Sequence, residues 1–257
     1  MLNKLPELAA QVINIGRKAS EAIMQIYAQA DLGTEYKSDA SPVTAADKSS
    51  DAIIRAGLST LEVAYPIISE ETPIEAYEIR RNYETYWLVD PLDGTKEFVQ
   101  RNGEFAINIA LMHLGEPILG VVIVPNLGDE YWAAKDEGAW RNGTRIYADT
   151  FTMEQSGLCL AVSRSHFNQA TADFVARFAY PRLVARGSAL KMLMIATGEA
   201  HIHPRFGPTM EWDTAAPQII VTEAGGTIRR IDDQQKLSYN KEDLTNPNFI
   251  VFGRCRN

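Results

Sequence analysis

The residues with the clearest chemical potential are acidic ones that close apolar runs. Trp87-Leu88-Val89 leads directly into Asp90-Pro91-Leu92-Asp93-Gly94-Thr95, so a strand-like segment ends in two carboxylates separated by a proline turn. Pro91 fixes one backbone angle and Gly94 permits a tight bend, which lets Asp90, Asp93 and the Leu92 carbonyl point into one small volume. An all-oxygen set of this kind suits a hard cation, Mg²⁺ above all, whose shell is completed by water and phosphate oxygens. The amides of Gly94 and Thr95 can face a phosphate if Thr95 opens a helix. Pro66-Ile67-Ile68-Ser69 likewise ends in Glu70 and Glu71, and Trp212-Asp213 puts a further carboxylate at a helix start. Gathered in one pocket without a cation, such groups would repel and raise one another's pKa values. Taken separately, each acidic end reads equally as a solvated turn, because Asp, Pro and Gly are the ordinary residues of loops.

These ends need elements to hold them. Apolar residues at Leu5, Leu8, Val12, Ile15, Ala19, Ile23 and Ile26 alternate three- and four-residue steps, which predicts a long amphipathic first helix. Thr44-Ala45-Ala46-Asp47 offers a hydroxyl cap with a carboxylate three residues on, so a second helix starts there with Asp47 in its first turn. From about Tyr65 short apolar runs alternate with turns, and Leu114-Gly115-Glu116-Pro117 and Arg141-Asn142-Gly143-Thr144 predict an antiparallel meander. After about Thr150 strands and helices alternate again, ending in a helix stop at Gly225-Gly226. The division expected is an N-terminal α+β lobe, 1–150, carrying the metal site, and a C-terminal α/β lobe, 151–257, carrying substrate contacts and one metal ligand, with a cleft between them.

Composition sets the outer limits. The chain has 257 residues, 46% apolar and 23% charged, proportions that exclude collagen, coiled coil and wholesale disorder. Two cysteines without a CxxC pair argue against a disulfide scaffold or structural zinc and fit a reducing cytoplasm. Charges at Lys4, Glu7, Arg17, Lys18 and Glu21 interrupt the first apolar stretch, so neither a signal peptide nor an integral membrane segment is expected. A formal charge of −8 argues against nucleic acid as a partner.

The three acidic motifs together resemble a known superfamily, the Mg²⁺-dependent, lithium-sensitive phosphatases that include inositol monophosphatase and fructose-1,6-bisphosphatase. Ser69-Glu70-Glu71, Asp90 to Thr95 and Trp212-Asp213-Thr214-Ala215-Ala216 follow the superfamily's order at similar intervals. Within it, Asp93-Gly94-Thr95-Lys96-Glu97-Phe98, Arg101-Asn102-Gly103-Glu104-Phe105 and Pro204-Arg205-Phe206-Gly207-Pro208-Thr209 look like the bacterial 3'(2'),5'-bisphosphate nucleotidases of the CysQ type. The likeness runs from about Ser41 to the C-terminus. Pro217 departs from it, falling where an uninterrupted helix is expected.

The resemblance implies an α/β (α+β) fold, a layered αβαβα sandwich. It implies two or three Mg²⁺ ions held by Glu70, Asp90, the Leu92 carbonyl, Asp93 and Asp213, and an in-line attack by an activated water. Asp47 and Thr95 look like the family's pair that aligns and deprotonates that water, with Glu70 also at the reacting centre; their plainer reading is a pair of helix caps. Glu70, Asp93, Gly94, Thr95 and Asp213 would also touch substrate. In the second lobe Ser163-Arg164-Ser165-His166, Ser188, Lys191 and Arg205 look like contacts to a nucleoside and its 5'-phosphate. Read on their own, Lys191 and Arg205 are surface cations and His166 a loop histidine.

The activity so implied is hydrolysis of the 3'-phosphate of adenosine 3',5'-bisphosphate to AMP, and of 3'-phosphoadenylyl sulfate, in sulfur metabolism. It would belong to a cytoplasmic monomer or homodimer, with peripheral association at the inner membrane a further implication of the family. Two alternatives remain: an inositol or sugar phosphatase with the same metal motifs, and a noncatalytic metal- or nucleotide-binding module. His201 and His203 lack a third ligand and are read as packing or surface residues rather than zinc ligands. Trp87 and Trp212 are read as core anchors beside the acidic motifs. Neither a Walker lysine motif nor GxGxxG occurs, and Ser163 and Ser165 have no triad context.

Overall fold

A computed structural model describes residues 4–36 and 42–256. Ser41, where the family likeness was expected to begin, lies outside the described residues. The chain opens with α1 (Leu5–Tyr27), a two-stranded ribbon of β1 (Glu35–Tyr36) and β2 (Pro42–Val43), and α2 (Ala45–Ser59). Then follow β3 (Ile67–Ser69), α3 (Tyr77–Arg80), β4 (Thr85–Asp93), α4 (Thr95–Val99), β5 (Ala106–His113), β6 (Glu116–Val124), β7 (Asp129–Ala134), β8 (Gly138–Arg141) and β9 (Thr144–Ile146). Strands β3 to β9 form one seven-stranded sheet in sequence order, antiparallel except where β3 runs parallel to β4. This is the meander read from the turn signals. Leu114-Gly115 and Asn142-Gly143, all with positive φ, close its β5–β6 and β8–β9 hairpins.

The remainder comprises β10 (Thr150–Thr152), β11 (Cys159–Ser163), α5 (Gln169–Val175), β12 (Arg182–Arg186), α6 (Leu190–Ala196), β13 (Ile202–Arg205), α7 (Glu211–Glu223), β14 (Thr227–Arg230), β15 (Phe249–Phe252) and β16 (Arg254–Arg256). A five-stranded mixed sheet has the order β12-β11-β13-β15-β14, and β10 pairs with β16. Layering follows from the alternation of side chains along strands. Trp87 and Val89 of β4 join the core under α1 and α2, whereas Tyr86 and Leu88 join the core that includes residues of α6 and α7. Helices α6 and α7 lie between the two sheets, and Phe174 and Val175 of α5 pack on the far face of the smaller one. The stack is therefore α, β, α, β, α, the sandwich expected from the family likeness.

Pro217 sits inside α7 without breaking it. The missing N–H leaves the Asp213 carbonyl without its helical donor, a loss of about 3 kcal/mol in an isolated helix. Here every residue from Thr214 to Val221 is buried between the sheets, and that packing keeps the helix continuous.

Candidate active site

The strand carrying the first two carboxylates does not stop where they begin. β4 continues to Asp93 through a bulge: Asp90 faces Asn108 and Asp93 faces Ala106, so three steps on β4 match two on β5. In a regular strand residues three apart point to opposite faces; one extra residue restores the same face. Asp90 shares the parity of Tyr86 and Leu88, which brings both carboxylates to the side of the sheet where α7 starts. The Leu92 amide donates to Asp90 Oδ1 at 3.0 Å and Ser50 Oγ donates to the Pro91 carbonyl at 2.7 Å, fixing the bulge. Gly94 then turns the chain at φ 95°, where a Cβ would lie 2.9 Å from the Glu104 carbonyl oxygen. Thr95 opens α4, as the phosphate reading required.

Glu70, Asp90 and Asp213 converge. One carboxylate oxygen from each lies within 4.8 Å of the others, although β3, β4 and α7 deliver them from distant parts of the sequence. Burial, then repulsion from Glu70, Asp93 and Asp213, pushes the Asp90 carboxyl well above its ordinary range. Burial and the charges of Asp93 and Glu70 do the same to Asp213, partly opposed by the Met210 amide, which donates to its Oδ2 at 2.9 Å. Trp212 Nε1 donates to Glu70 Oε2 at 3.1 Å, so this indole orients a site carboxylate as well as filling the core. The donors are all hard oxygens, and their mutual repulsion is what a bound divalent cation would relieve; the set fits such an ion.

Asp93 stands beside this trio. Its Oδ2 accepts from Ser188 Oγ at 2.8 Å and from Asn108 Nδ2 at 3.3 Å. Burial raises its pKa against the opposing pull of Lys191 and these two donors. Asp47 and Thr95 meet as expected: Thr95 Oγ1 lies 3.0 Å from Asp47 Oδ1 and 3.3 Å from the Leu92 carbonyl. The other oxygen, Oδ2, accepts from the Thr44 amide and hydroxyl, each at 2.7 Å, so Asp47 is both a helix cap and a partner of Thr95. Burial raises its pKa while these hydrogen bonds lower it in part.

The carboxylates open into a cavity of about 300 Å³, and its other wall comes from the second part of the chain. His166, Ser188, Lys191 and Arg205 all line it. Lys191 is buried, with Nζ donating to the Ser188 carbonyl at 2.6 Å, and burial brings its pKa down to about 8. Arg205 donates to the Pro208 carbonyl at 2.6 Å, and its Nε is buried without a hydrogen-bond partner among the described residues. His166 is exposed at the rim, its pKa lowered by burial of the ring and by Arg205 and Lys96. Neither Lys191 nor Arg205 is the surface cation of the plainer reading.

His203, read from the sequence as a packing or surface residue, and Glu97, quoted there only as part of a motif, also line the cavity. His203 lines the cavity with its Nδ1 donating to the Ala161 carbonyl at 2.8 Å, and burial together with Lys191 and Arg205 holds its pKa down to about 3. The signal was its spacing of two from Arg205, which puts both on one face of β13. Glu97, two residues beyond Thr95, also lines the cavity and is 6% exposed. His201 faces elsewhere, taking the Cys159 amide on Nδ1 at 2.8 Å, and no histidine joins an acidic cluster among the described residues. No helix among the described residues is long and apolar enough to cross a membrane.

A sequence model of the inositol monophosphatase family matches residues 4–252. The 3'(2'),5'-bisphosphate nucleotidase CysQ of Salmonella typhimurium is 42% identical over 245 residues, covering 94% of this chain and 98% of its own. Its Escherichia coli counterpart is 41% identical over 244 residues, with the same coverage. Among solved structures, CysQ from Bacteroides thetaiotaomicron, described as a bacterial member of the inositol monophosphatase family, superposes with a TM-score of 0.85 at 36% identity over 98% of each chain. An IMPase from Thermotoga maritima gives 0.79 at 26% identity over 93% of this chain and 89% of its own.

Proposed function

The chain belongs to the inositol monophosphatase family, and from that membership we propose that it is a Mg²⁺-dependent phosphatase acting on adenosine 3',5'-bisphosphate. It removes the 3'-phosphate to give AMP and inorganic phosphate, and accepts 3'-phosphoadenylyl sulfate by the same route. The observation that carries the reading is one cavity lined both by a carboxylate trio and by the buried cations Lys191 and Arg205. A substrate with one phosphate needs only the carboxylates and the metal they would hold. Fixed, desolvated cations in the same cavity suit a further phosphate, gripped by the Arg205 fork and the Lys191 point charge.

Glu70, Asp90, Asp213, Asp93 and the Leu92 carbonyl are the groups that would hold two or three Mg²⁺ ions. Bound there, the metal supplies Lewis acidity, which acidifies water and offsets charge on the phosphoryl and leaving oxygens. The protein's own part is orientation and proton movement. Asp47 Oδ1 takes the hydroxyl proton of Thr95, which frees the Thr95 oxygen to accept a proton from the attacking water. Ser188 and Asn108 hold the Asp93 side chain in one rotamer, and Trp212 does so for Glu70. On this reading residues 1–150 carry the reaction and 151–257 the choice of substrate, with Asp213 crossing between the two tasks.

The test is phosphate release from the bisphosphate nucleotide, inositol 1-phosphate and fructose 1,6-bisphosphate, each with Mg²⁺ and with chelator. The nucleotide is expected to be the fastest substrate and chelation to stop the reaction. Faster release from inositol 1-phosphate refutes the substrate, and release unaffected by chelator refutes the metal.

A further inference from the structure

Glu97 is an anomaly in a cavity built for anions. It is 6% exposed, and among the described residues it forms no ion pair and has one hydrogen-bond donor on its side chain, Ser165 Oγ at 2.7 Å from Oε1. Burying an ionised carboxylate with one partner costs free energy, and a carboxylate here also repels any phosphate nearby. The surroundings are shaped to admit it. A Cβ on Gly187 would lie 2.5 Å from Glu97 Cγ and 2.9 Å from Cδ, so the backbone leaves room for this side chain where any residue but glycine would collide.

Its location defines what it can meet. Glu97 stands four residues past Asp93 and two past Thr95, and it lines the same cavity as Asp93, His166 and Lys191. It therefore shares one cavity with both the acidic cluster and the two buried cations. A carboxylate repels both phosphates of a bisphosphate nucleotide, so the part of that substrate it can hold is the sugar that joins them. An ionised carboxylate only accepts hydrogen bonds, so its complement is a hydroxyl.

We propose that Glu97 is a specificity-determining residue whose second carboxylate oxygen, Oε2, accepts a hydrogen bond from the ribose hydroxyl next to the scissile ester. The inference rests on the bisphosphate nucleotide reading above. It explains why a buried acceptor is retained among Lys96, Lys191 and Arg205: it rewards a sugar bearing a neighbouring hydroxyl and penalises one without it. The penalty is an unsatisfied buried charge, which is larger than the loss of an ordinary neutral contact.

The experiment compares kcat/KM for adenosine 3',5'-bisphosphate and its 2'-deoxy analogue in wild type, Glu97→Gln and Glu97→Met. The wild type should prefer the ribonucleotide by about 10- to 100-fold, the range of a hydrogen bond to a charged group. Glu97→Met, close in shape, uncharged and at most a weak acceptor, should bring the ratio to within about threefold of one, mainly through a slower ribonucleotide. Glu97→Gln, whose amide still bonds a hydroxyl, should fall between. A variant that folds poorly lowers both substrates alike and leaves the ratio untouched, so the ratio reads recognition alone. A wild-type ratio near one, or a ratio unchanged in Glu97→Met, overturns the role of Glu97 while the nucleotidase reading stands. Hydrolysis of neither nucleotide by the wild type overturns both.

Discussion

Replacing Asp47 by Asn separates the two tasks that one carboxylate performs. In the wild type Oδ2 caps α2 through the Thr44 amide and hydroxyl, and Oδ1 accepts from Thr95. An asparagine that keeps its carbonyl oxygen on Thr44 preserves the cap, so stability should change by less than about 1 kcal/mol; alanine, which loses the cap, should cost about 1–2 kcal/mol. The asparagine NH₂ then faces Thr95 Oγ1. It can only donate, which leaves the Thr95 proton no acceptor but the Leu92 carbonyl at 3.3 Å. Without a base the general-base contribution of roughly 10²–10⁴ is lost, equivalent to about 2.7–5.5 kcal/mol of barrier. Steady-state phosphate release with saturating Mg²⁺ should show this loss in kcat with little change in KM. Thr95→Ala should lose a similar factor and Thr95→Ser should stay close to wild type. Because the two groups act in series, the double variant Asp47→Asn/Thr95→Ala should be no slower than the worse single one. Near-normal kcat in Asp47→Asn, or losses that multiply in the double variant, would refute the relay, as would a fall in kcat that merely tracks melting temperature.

Other consequences follow from the same geometry. Mg²⁺ at a hundred times its dissociation constant should stabilise the protein by about 2.7 kcal/mol, a melting shift of roughly 5–10 °C, and Asp90→Asn should remove most of it. The carboxyl pKa values of Asp90 and Asp213 are higher folded than unfolded, so the folded state holds more protons and stability falls as pH rises from the ordinary carboxylate range through the raised values. Metal-free Asp90→Asn should therefore melt above metal-free wild type at neutral pH, with the gap closing on acidification; differential scanning calorimetry with chelator decides, and a lower-melting variant contradicts it. Arg205→Ala should raise KM for the bisphosphate nucleotide by about 10- to 100-fold with a smaller effect on kcat, and an equal loss with inositol 1-phosphate would deny the distal phosphate contact. Gly94→Ala, strained at φ 95° and blocked by the Glu104 carbonyl, should cost about 1–3 kcal/mol and slow turnover by displacing Thr95; urea melts and kcat test both.

Much of this was legible in the sequence because it is local chemistry. The stripe of α1, the Thr44–Asp47 cap, the Asn142-Gly143 hairpin and the stop at Gly225 depend on residues within a few positions of one another. The acidic motifs belong here too, since Asp90, Asp93 and Asp213 announce themselves by type and spacing. Family likeness then supplied the layered sandwich. What sequence could not supply was parity and burial. The run Trp87 to Val89 looked like a strand that ends at Asp90, and only pairing with β5 shows a bulge that carries the strand to Asp93 and turns both carboxylates to one face. Pro217 was a departure within a stretch read as helix, and only burial between two sheets shows why that helix stays continuous.

The sequence by itself determined which residues carry charge, cap and turn, and so the kind of chemistry available. Only the tertiary structure decided that Glu70, Asp90 and Asp213 share one small space, that Lys191 and Arg205 are desolvated, and that Glu97 is buried beside them. The physical reason is range: propensities and turns act along a few residues of chain, whereas desolvation and repulsion depend on what lies across space, which exists only once the sheets have stacked.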